Sequence, residues 1–306
     1  MVTLPPSTIL KAPCKVNLGL KLVGRLTNGY HLLDSFFIKL EHPYDLLVLE
    51  QGADKGLSLV VEGAYLDTKH NTLTKVYALL QSRGFLLPDL KLTLKKGIPL
   101  GAGLGGGSSD AATFLNYLNQ SLALNLSEDE KISLAKEIGA DVPFFLQNSP
   151  CRVTGIGEIL REATLSCLPC NLLLVCPKIS ISTVWAYQSY DQMLAQENLA
   201  KTQASSLTKQ LNPRKYFLSQ AGSKDAISWQ LANDLEPVVL KAYPMLASLR
   251  NELSLLGAFE VGMSGSGSSY FALFAKNDEE KAQKASASLI KQGYQVFLNK
   301  LNSVGM

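Results

Sequence analysis

Apolar and polar positions along the first forty residues trace two strand-like segments, Cys14 to Leu22 and Asp34 to Leu40. The turn-rich Thr27-Asn28-Gly29 joins them. Asp45 to Gln51 and Leu57 to Glu62 read as further short strands. Asn71 to Arg83 carries Leu73, Val76, Ala78, Leu79 and Leu80 at helical spacing, which predicts an amphipathic helix closed by Gly84. Lys91 to Lys95 alternates apolar with basic residues and predicts a half-exposed strand. A glycine cluster at 101 to 107 follows. Next comes a helix predicted from Ser108, with Ala111, Ala112, Leu115, Leu118 and Leu122 on one side. Ser127-x-x-Glu130 is a capping box opening another helix, which ends at Gly139. After Arg152 to Glu158 the pattern restarts. Leu172 to Cys176 reads as a buried strand, and 188 to 230 as polar, helical in character and low in strand signal. Asp234 to Leu256 predicts two helices interrupted near Pro244. Phe259 to Met263 and Tyr270 to Ala275 are strands flanking a Gly/Ser turn, and Asp278 to Gln292 is a last helix. Strands followed by helices, twice over, predict an α+β fold with two lobes. There is no internal repeat.

Composition narrows the function classes. The chain has 306 residues, 46% hydrophobic and only 18% charged, which excludes a disordered chain and is ample for a large core. Its 29 basic residues against 26 acidic give a net charge of +3, with the lysines scattered, so no nucleic-acid partner is expected. The longest unbroken apolar run, Tyr270 to Ala275, is too short to span a bilayer. Lys11 and Lys15 break the N-terminal apolar stretch where a signal peptide would need one. A soluble cytoplasmic protein without membrane partners is expected. The cysteine count is odd, and Cys167-x-x-Cys170 lacks the second pair that zinc requires. With three histidines and no H-E-x-x-H, no metal site is assigned.

The densest chemical signal is Pro99-Leu100-Gly101-Ala102-Gly103-Leu104-Gly105-Gly106-Gly107-Ser108-Ser109-Asp110. So many glycines cost backbone entropy, and they make sense where backbone must approach a ligand and expose successive N–H groups. A helix starting directly behind them aims its free amides and dipole at the loop, an anion site suited to nucleotide phosphates. Gly101, Gly103 and Gly106 fit G-x-G-x-x-G, but a helix follows where a dinucleotide fold needs a strand. Gly-Lys occurs nowhere, which excludes a Walker loop, and there is no G-x-S-x-G elbow.

With histidine scarce, acid–base work falls to carboxylates and lysines. Asp141, in Gly139-Ala140-Asp141-Val142-Pro143, is by composition a helix cap in preference to the partner of a cation in a cleft. Lys15, alone in an apolar strand, is either a solvated edge residue or a buried charge that needs an anion. Gly262-Met263-Ser264-Gly265-Ser266-Gly267 is either a hairpin turn or the far wall of a phosphate pocket.

Taken together, Pro13-x-Lys15-x-Asn17, the Gly101-to-Ser109 loop and Met263-Ser264-Gly265-Ser266-Gly267 resemble the three signature motifs of the galactokinase, homoserine kinase, mevalonate kinase and phosphomevalonate kinase superfamily. Gly29-Tyr30-His31, Gly105-Gly106-Gly107-Ser108-Ser109, Ala140-Asp141-Val142-Pro143 and Asn233-Asp234-Leu235-Glu236 are similar to its 4-diphosphocytidyl-2-C-methyl-D-erythritol kinase family. The resemblance implies a two-lobed small-molecule kinase fold with the active site in the cleft between lobes. It implies an N-terminal ATP-binding and catalytic domain over 1–162 and a C-terminal domain over 163–306. It further implies ATP as phosphoryl donor, Mg²⁺, and transfer to the 2-hydroxyl of a cytidyl-diphospho sugar alcohol by a monomer or weak homodimer. Lys15 and Asp141 map onto the catalytic pair, which reverses the capping preference for Asp141. The stretch from Pro99 to Ser109 maps onto the ATP site, with Ser108 and Ser109 near phosphates and metal. Asn17 maps onto a substrate contact, Tyr30 and His31 onto the cytosine site, and Tyr187 onto the aromatic that faces the base. Gly262, Ser264, Gly265, Ser266 and Gly267 form the second glycine loop. A sister kinase acting on a sugar, homoserine or mevalonate would not need Tyr30-His31.

Overall fold

A computed structural model describes residues 7–165, 170–201, 215–220 and 226–301. The chain runs β1 (Ser7–Arg25), β2 (His31–Gln51), β3 (Leu57–Glu62), α1 (Thr72–Ser82), β4 (Leu90–Lys95), α2 (Gly106–Ser121), α3 (Glu128–Ile138), α4 (Val142–Leu146), β5 (Cys151–Gly155) and β6 (Ile159–Leu165). It continues with β7 (Cys170–Cys176), α5 (Thr183–Lys201), β8 (Lys215–Gln220), β9 (Ala226–Gln230), α6 (Glu236–Ala242), α7 (Pro244–Leu255), β10 (Glu260–Met263), β11 (Tyr270–Ala275), α8 (Glu279–Lys291) and β12 (Gln295–Leu301). One sheet has the order β3-β4-β2-β5-β6-β8-β9, with β1 also paired to β2; the other has the order β10-β11-β7-β12.

The layers follow from which face each residue presents. Along β2, Phe37, Leu47 and Leu49 pack with residues of α1 to α4, while Phe36, Ile38 and Leu40 pack with Leu172, Leu174, Phe271 and Leu273 of the second sheet. A strand buried on both faces cannot show clean alternation, and β2 does not. The far face of the second sheet, through Leu173, Val175, Tyr270 and Phe274, packs on α6, α7 and α8. The result is four layers: helices, sheet, sheet, helices.

Three elements differ from the pattern reading. The segments at Asp34–Leu40 and Asp45–Gln51 are one strand, because pairing with β1 skips Glu41 to Pro43: Cys14 faces Leu40 and Pro13 faces Tyr44. That irregularity also flips the inward face of β1, so Ala12 belongs to the helix-side core and Cys14 to the inter-sheet core. Within the stretch 188 to 230, the described residues form α5 as far as Lys201 and two strands, β8 and β9, that extend the first sheet from β6. The last strand, β12, pairs with β7 along Gln295 to Leu301 and has no counterpart in the pattern reading. The capping boxes behave as their sequence requires: Asn71 with Thr74 for α1, and Ser127 with Glu130 for α3.

Candidate active site

A cleft of about 710 Å³ opens between β1, the glycine loop, the turn before β2, and the start of α5. Lys15 lies on its floor. The strand around it is buried on both sides, so the lysine is only 5% exposed. Its ammonium lies 2.5 Å from Asn17 Oδ1, 3.5 Å from Asp141 Oδ2 and 4.5 Å from the centre of the Phe37 ring. A buried charge needs such partners. Asp141 occupies the N-cap position of α4, yet its side chain makes no capping bond there. At 32% exposure it faces the cleft and the lysine. Between the two composition-level alternatives, the geometry has Asp141 as a cation partner.

Asn17 is fixed on three sides. Its backbone N–H donates to Ser264 Oγ at 3.1 Å, and its amide donates to Ser35 Oγ at 3.1 Å while its Oδ1 accepts from Lys15. Asn233 ties the second glycine turn to the same place: its amide donates to the carbonyls of Met263 and Gly265 at 2.9 and 2.7 Å. Asp234 then accepts from Leu22 N at 2.7 Å, so Asn233-Asp234 staples β1 to the second half of the chain. Gly265 and Ser266 line the cleft. Gly262 sits within β10, where a Cβ would lie 2.5 Å from the Phe271 ring, and it forms no part of the lining.

In the first glycine loop, Gly101, Gly103 and Gly105 all take the left-handed backbone conformation that favours glycine. Space is as restrictive as conformation. A Cβ on Gly103 would meet the Ser264 carbonyl oxygen at 2.6 Å, and one on Gly105 would meet the Phe145 ring at 3.0 Å. Lys15 N–H donates to the Leu104 carbonyl at 3.0 Å and locks the loop to β1. α2 starts at Gly106, two residues earlier than the apolar periodicity indicates, and Gly105 offers no side-chain cap. Its first amides are therefore available to an anion. Pro99, Leu100, Ala102, Gly106 and Gly107 complete this wall. Ser108 Oγ approaches the Gly139 corner that carries Asp141. Ser109 points elsewhere: it is fully buried and lines a separate cavity of about 320 Å³ with Leu10, Lys39 and Asn116.

Beneath the loop lies a charged group that the motif reading misses. Lys96, which reaches the cleft, pairs with Asp45 and lies 3.3 Å from Asp110 Oδ2. Asp45 also accepts from the N–H groups of Gly97 and Ile98 at 2.7 and 2.8 Å. Burial pushes the Asp110 carboxyl up to about 8; Lys96 opposes this and Asp45 adds to it. The available signal was an acid placed among Ala111, Ala112 and Leu115 on a buried helix.

At the other end, Tyr30 is 61% exposed on the rim, and His31 and Tyr187 lie within the lining. The His31 and Tyr187 rings are 5.0 Å apart between centroids and tilted by 37°, and Asp191, also missed by the motif reading, sits 2.7 Å from His31 Nε2. Burial pushes the Tyr187 hydroxyl up to about 12, helped by Asp141. Cys167 falls outside the described residues. Cys170 is buried in β7, and burial pushes its thiol up to about 12, far from a thiolate nucleophile. Among the described residues no three His, Cys, Asp or Glu side chains converge as a metal cage, and no helix is long and apolar enough to cross a membrane.

The chain matches the family model for the GHMP kinases N terminal domain over residues 71–149 and that for the GHMP kinases C terminal domain over 214–295. A 4-diphosphocytidyl-2-C-methyl-D-erythritol kinase of Lawsonia intracellularis is 40% identical over 280 residues, covering 89% of this chain and 90% of its own. A protein of the same name from Solidesulfovibrio magneticus is 37% identical over 95% of this chain and 96% of its own. A crystal structure of 4-(cytidine 5'-diphospho)-2C-methyl-D-erythritol kinase superposes with a TM-score of 0.71 at 28% identity, over 96% of this chain and 99% of that one. Homoserine kinase from Cytophaga hutchinsonii, at 18% identity over 98% of this chain and 96% of that one, shares the fold with a TM-score of 0.67. By sequence and by fold, the chain belongs to the 4-diphosphocytidyl-2-C-methyl-D-erythritol kinase family of the GHMP kinases.

Proposed function

We propose that this chain transfers the γ-phosphoryl group of ATP to the 2-hydroxyl of 4-diphosphocytidyl-2-C-methyl-D-erythritol, a step of the non-mevalonate route to isoprenoid precursors. The observation that carries this reading is one continuous cleft. It has free helix amides on one wall, an aromatic-histidine cluster at one end and the Lys15–Asp141 pair on its floor. The ATP phosphates would lie against the amides of Gly106 to Ser108, between the loop at 101–107 and the turn at 265–266. Asp141 accepts the proton of the attacking hydroxyl. Lys15, 3.5 Å from that carboxylate, offsets charge developing on the transferred group. The hydroxyl oxygen bonds to the γ-phosphorus as its bond to the β-bridging oxygen breaks, and ADP leaves. Asn17, braced by Ser35 and Ser264, orients the alcohol.

The donor set suits Mg²⁺ carried in on the nucleotide rather than a resident ion, since no protein cage is present among the described residues. Ser108 Oγ is the side-chain oxygen that would hold it, and it would neutralise phosphate charge. Tyr30 and Tyr187 offer faces for the cytosine, and His31 a hydrogen bond to its edge. Ser109, turned into the core, is left out of the phosphate site. A cytoplasmic location completes the reading, and the expected domain division at 162/163 falls within β6; the buried free thiols of Cys14, Cys151, Cys170 and Cys176 suit a reducing compartment. Incubating the protein with Mg-ATP and a panel of alcohols, with ADP release as readout, tests it. Turnover with homoserine, mevalonate or a free sugar, and none with the cytidyl substrate, would overturn it.

A further inference from the structure

Tyr187 and Asp191 stand one helical turn apart on α5, so both side chains leave the same face, and both reach His31. Asp191 Oδ1 lies 2.7 Å from His31 Nε2, and its other oxygen lies 3.2 Å from Arg25 Nη1. Arg25 Nε in turn donates to the Gly29 carbonyl at 3.2 Å. The turn that carries Tyr30 and His31 is thereby tied to the helix that carries Tyr187. The contact is sheltered: the His31 side chain is 9% exposed and Asp191 26%.

An imidazole has two nitrogens, and whichever donates a hydrogen bond leaves the other as an acceptor. A carboxylate can only accept, and the other oxygen of Asp191 is engaged by the Arg25 guanidinium. Asp191 therefore holds the proton of neutral His31 on Nε2 and leaves the Nδ1 lone pair for a ligand. A pyrimidine edge bearing an amino group offers that lone pair a donor. The corresponding edge of uracil offers a carbonyl, and two acceptors facing each other lose the bond and repel.

We propose that Asp191, backed by Arg25, is a positioning residue that fixes the His31 tautomer and so makes the cleft prefer an amino-bearing pyrimidine over a carbonyl-bearing one. The inference rests on the reading of His31 as the residue facing the base.

Asp191→Asn keeps the shape but can donate its amide to Nε2, moving the ring proton to Nδ1. The preference for cytidyl over uridyl substrate, measured as a ratio of kcat/KM, should fall about 10- to 100-fold, the range for losing a hydrogen bond to a charged or geometrically fixed partner. The change should be carried mainly by KM for the nucleotide alcohol, with KM for ATP unmoved. His31→Ala is the reference. If it leaves the preference intact, the reading of His31 fails. If it abolishes the preference while Asp191→Asn and Asp191→Ala retain it, His31 reads the base without Asp191 and the proposal is overturned. Nitrogen NMR of the imidazoles provides a test independent of turnover, in a chain with only three histidines. Wild type should show His31 as the Nε2–H tautomer, and Asp191→Asn should shift it toward Nδ1–H. An Nδ1–H ring in the wild type would sink the idea.

Discussion

Lys15 and Asp141 form a pair with unequal surroundings, 5% against 32% exposed, and the inequality decides what each substitution does. Removing the carboxylate charge leaves the buried ammonium with Asn17 and an amide. Removing the ammonium leaves a carboxylate that water can reach. Asp141→Asn should therefore fold normally while kcat falls about 100-fold or more, the range of lost general-base catalysis, with ATP affinity nearly intact. Near-normal kcat in that variant would reduce Asp141 to a structural role. Lys15→Met should match or exceed the wild-type Tm while losing turnover to a similar extent. A large drop in Tm would show that the lysine holds the strand together instead. Asp110 carries the pH prediction. Its folded carboxyl is raised above the usual range by burial, so between about pH 4, where the unfolded side chain ionises, and about pH 8 the native state holds a proton that the unfolded chain has lost. Stability from this group is thus lost as pH rises through that window. Asp110→Asn does not titrate, so its Tm relative to wild type should improve from pH 5 to pH 8. A constant gap would mean that Lys96 keeps Asp110 ionised throughout.

Among the elements, the glycine loop divides into positions that need glycine and positions that merely have it. Gly103→Ala would force a left-handed residue against the Ser264 carbonyl and should cost about 1–3 kcal/mol, along with affinity for an ATP analogue. Gly107 lies in the first turn of α2, and a Cβ there would come no nearer than 3.6 Å to its closest neighbour, Thr72 Oγ1, so Gly107→Ala should leave Tm equal or higher. Thermal melts and a titration of both variants separate the cases; equal behaviour would remove the close approach of the two loops from the account. The loop, its following helix and the Ser127–Glu130 capping box are legible in the sequence because glycine density, helical spacing and a Ser cap act locally. The break at Glu41 to Pro43 hides the unity of β2, since those residues interrupt the apolar pattern without interrupting the strand. Strand β12 is invisible for another reason: its partner, β7, is distant in sequence, and pairing rather than propensity forms it. Asp191 is hidden because an acid on a polar helix looks the same solvated or engaged.

At the scale of the whole molecule, residues distant in sequence meet on β1. Asp234 and Ser264 grip it from the second half, the glycine loop bonds to it at Lys15, and α2 to α4 cover its partner strand. The resemblance motifs announce these pieces but not their convergence, which depends on the four-layer packing. The hairpin of β1 and β2 bears Lys15 partway along one arm and His31 at the start of the other, and a paired, gripped strand cannot stretch. On the proposed placement of the substrate it would act as a gauge: base and alcohol are set against one edge, and the diphosphate between them has to match its length. Cytidyl alcohols with one phosphate fewer or one more should still seat the base while the hydroxyl misses Asp141, so that kcat falls about 100-fold or more, since a 1 Å misplacement already costs that much. On that placement, discrimination would be by length as well as by chemistry.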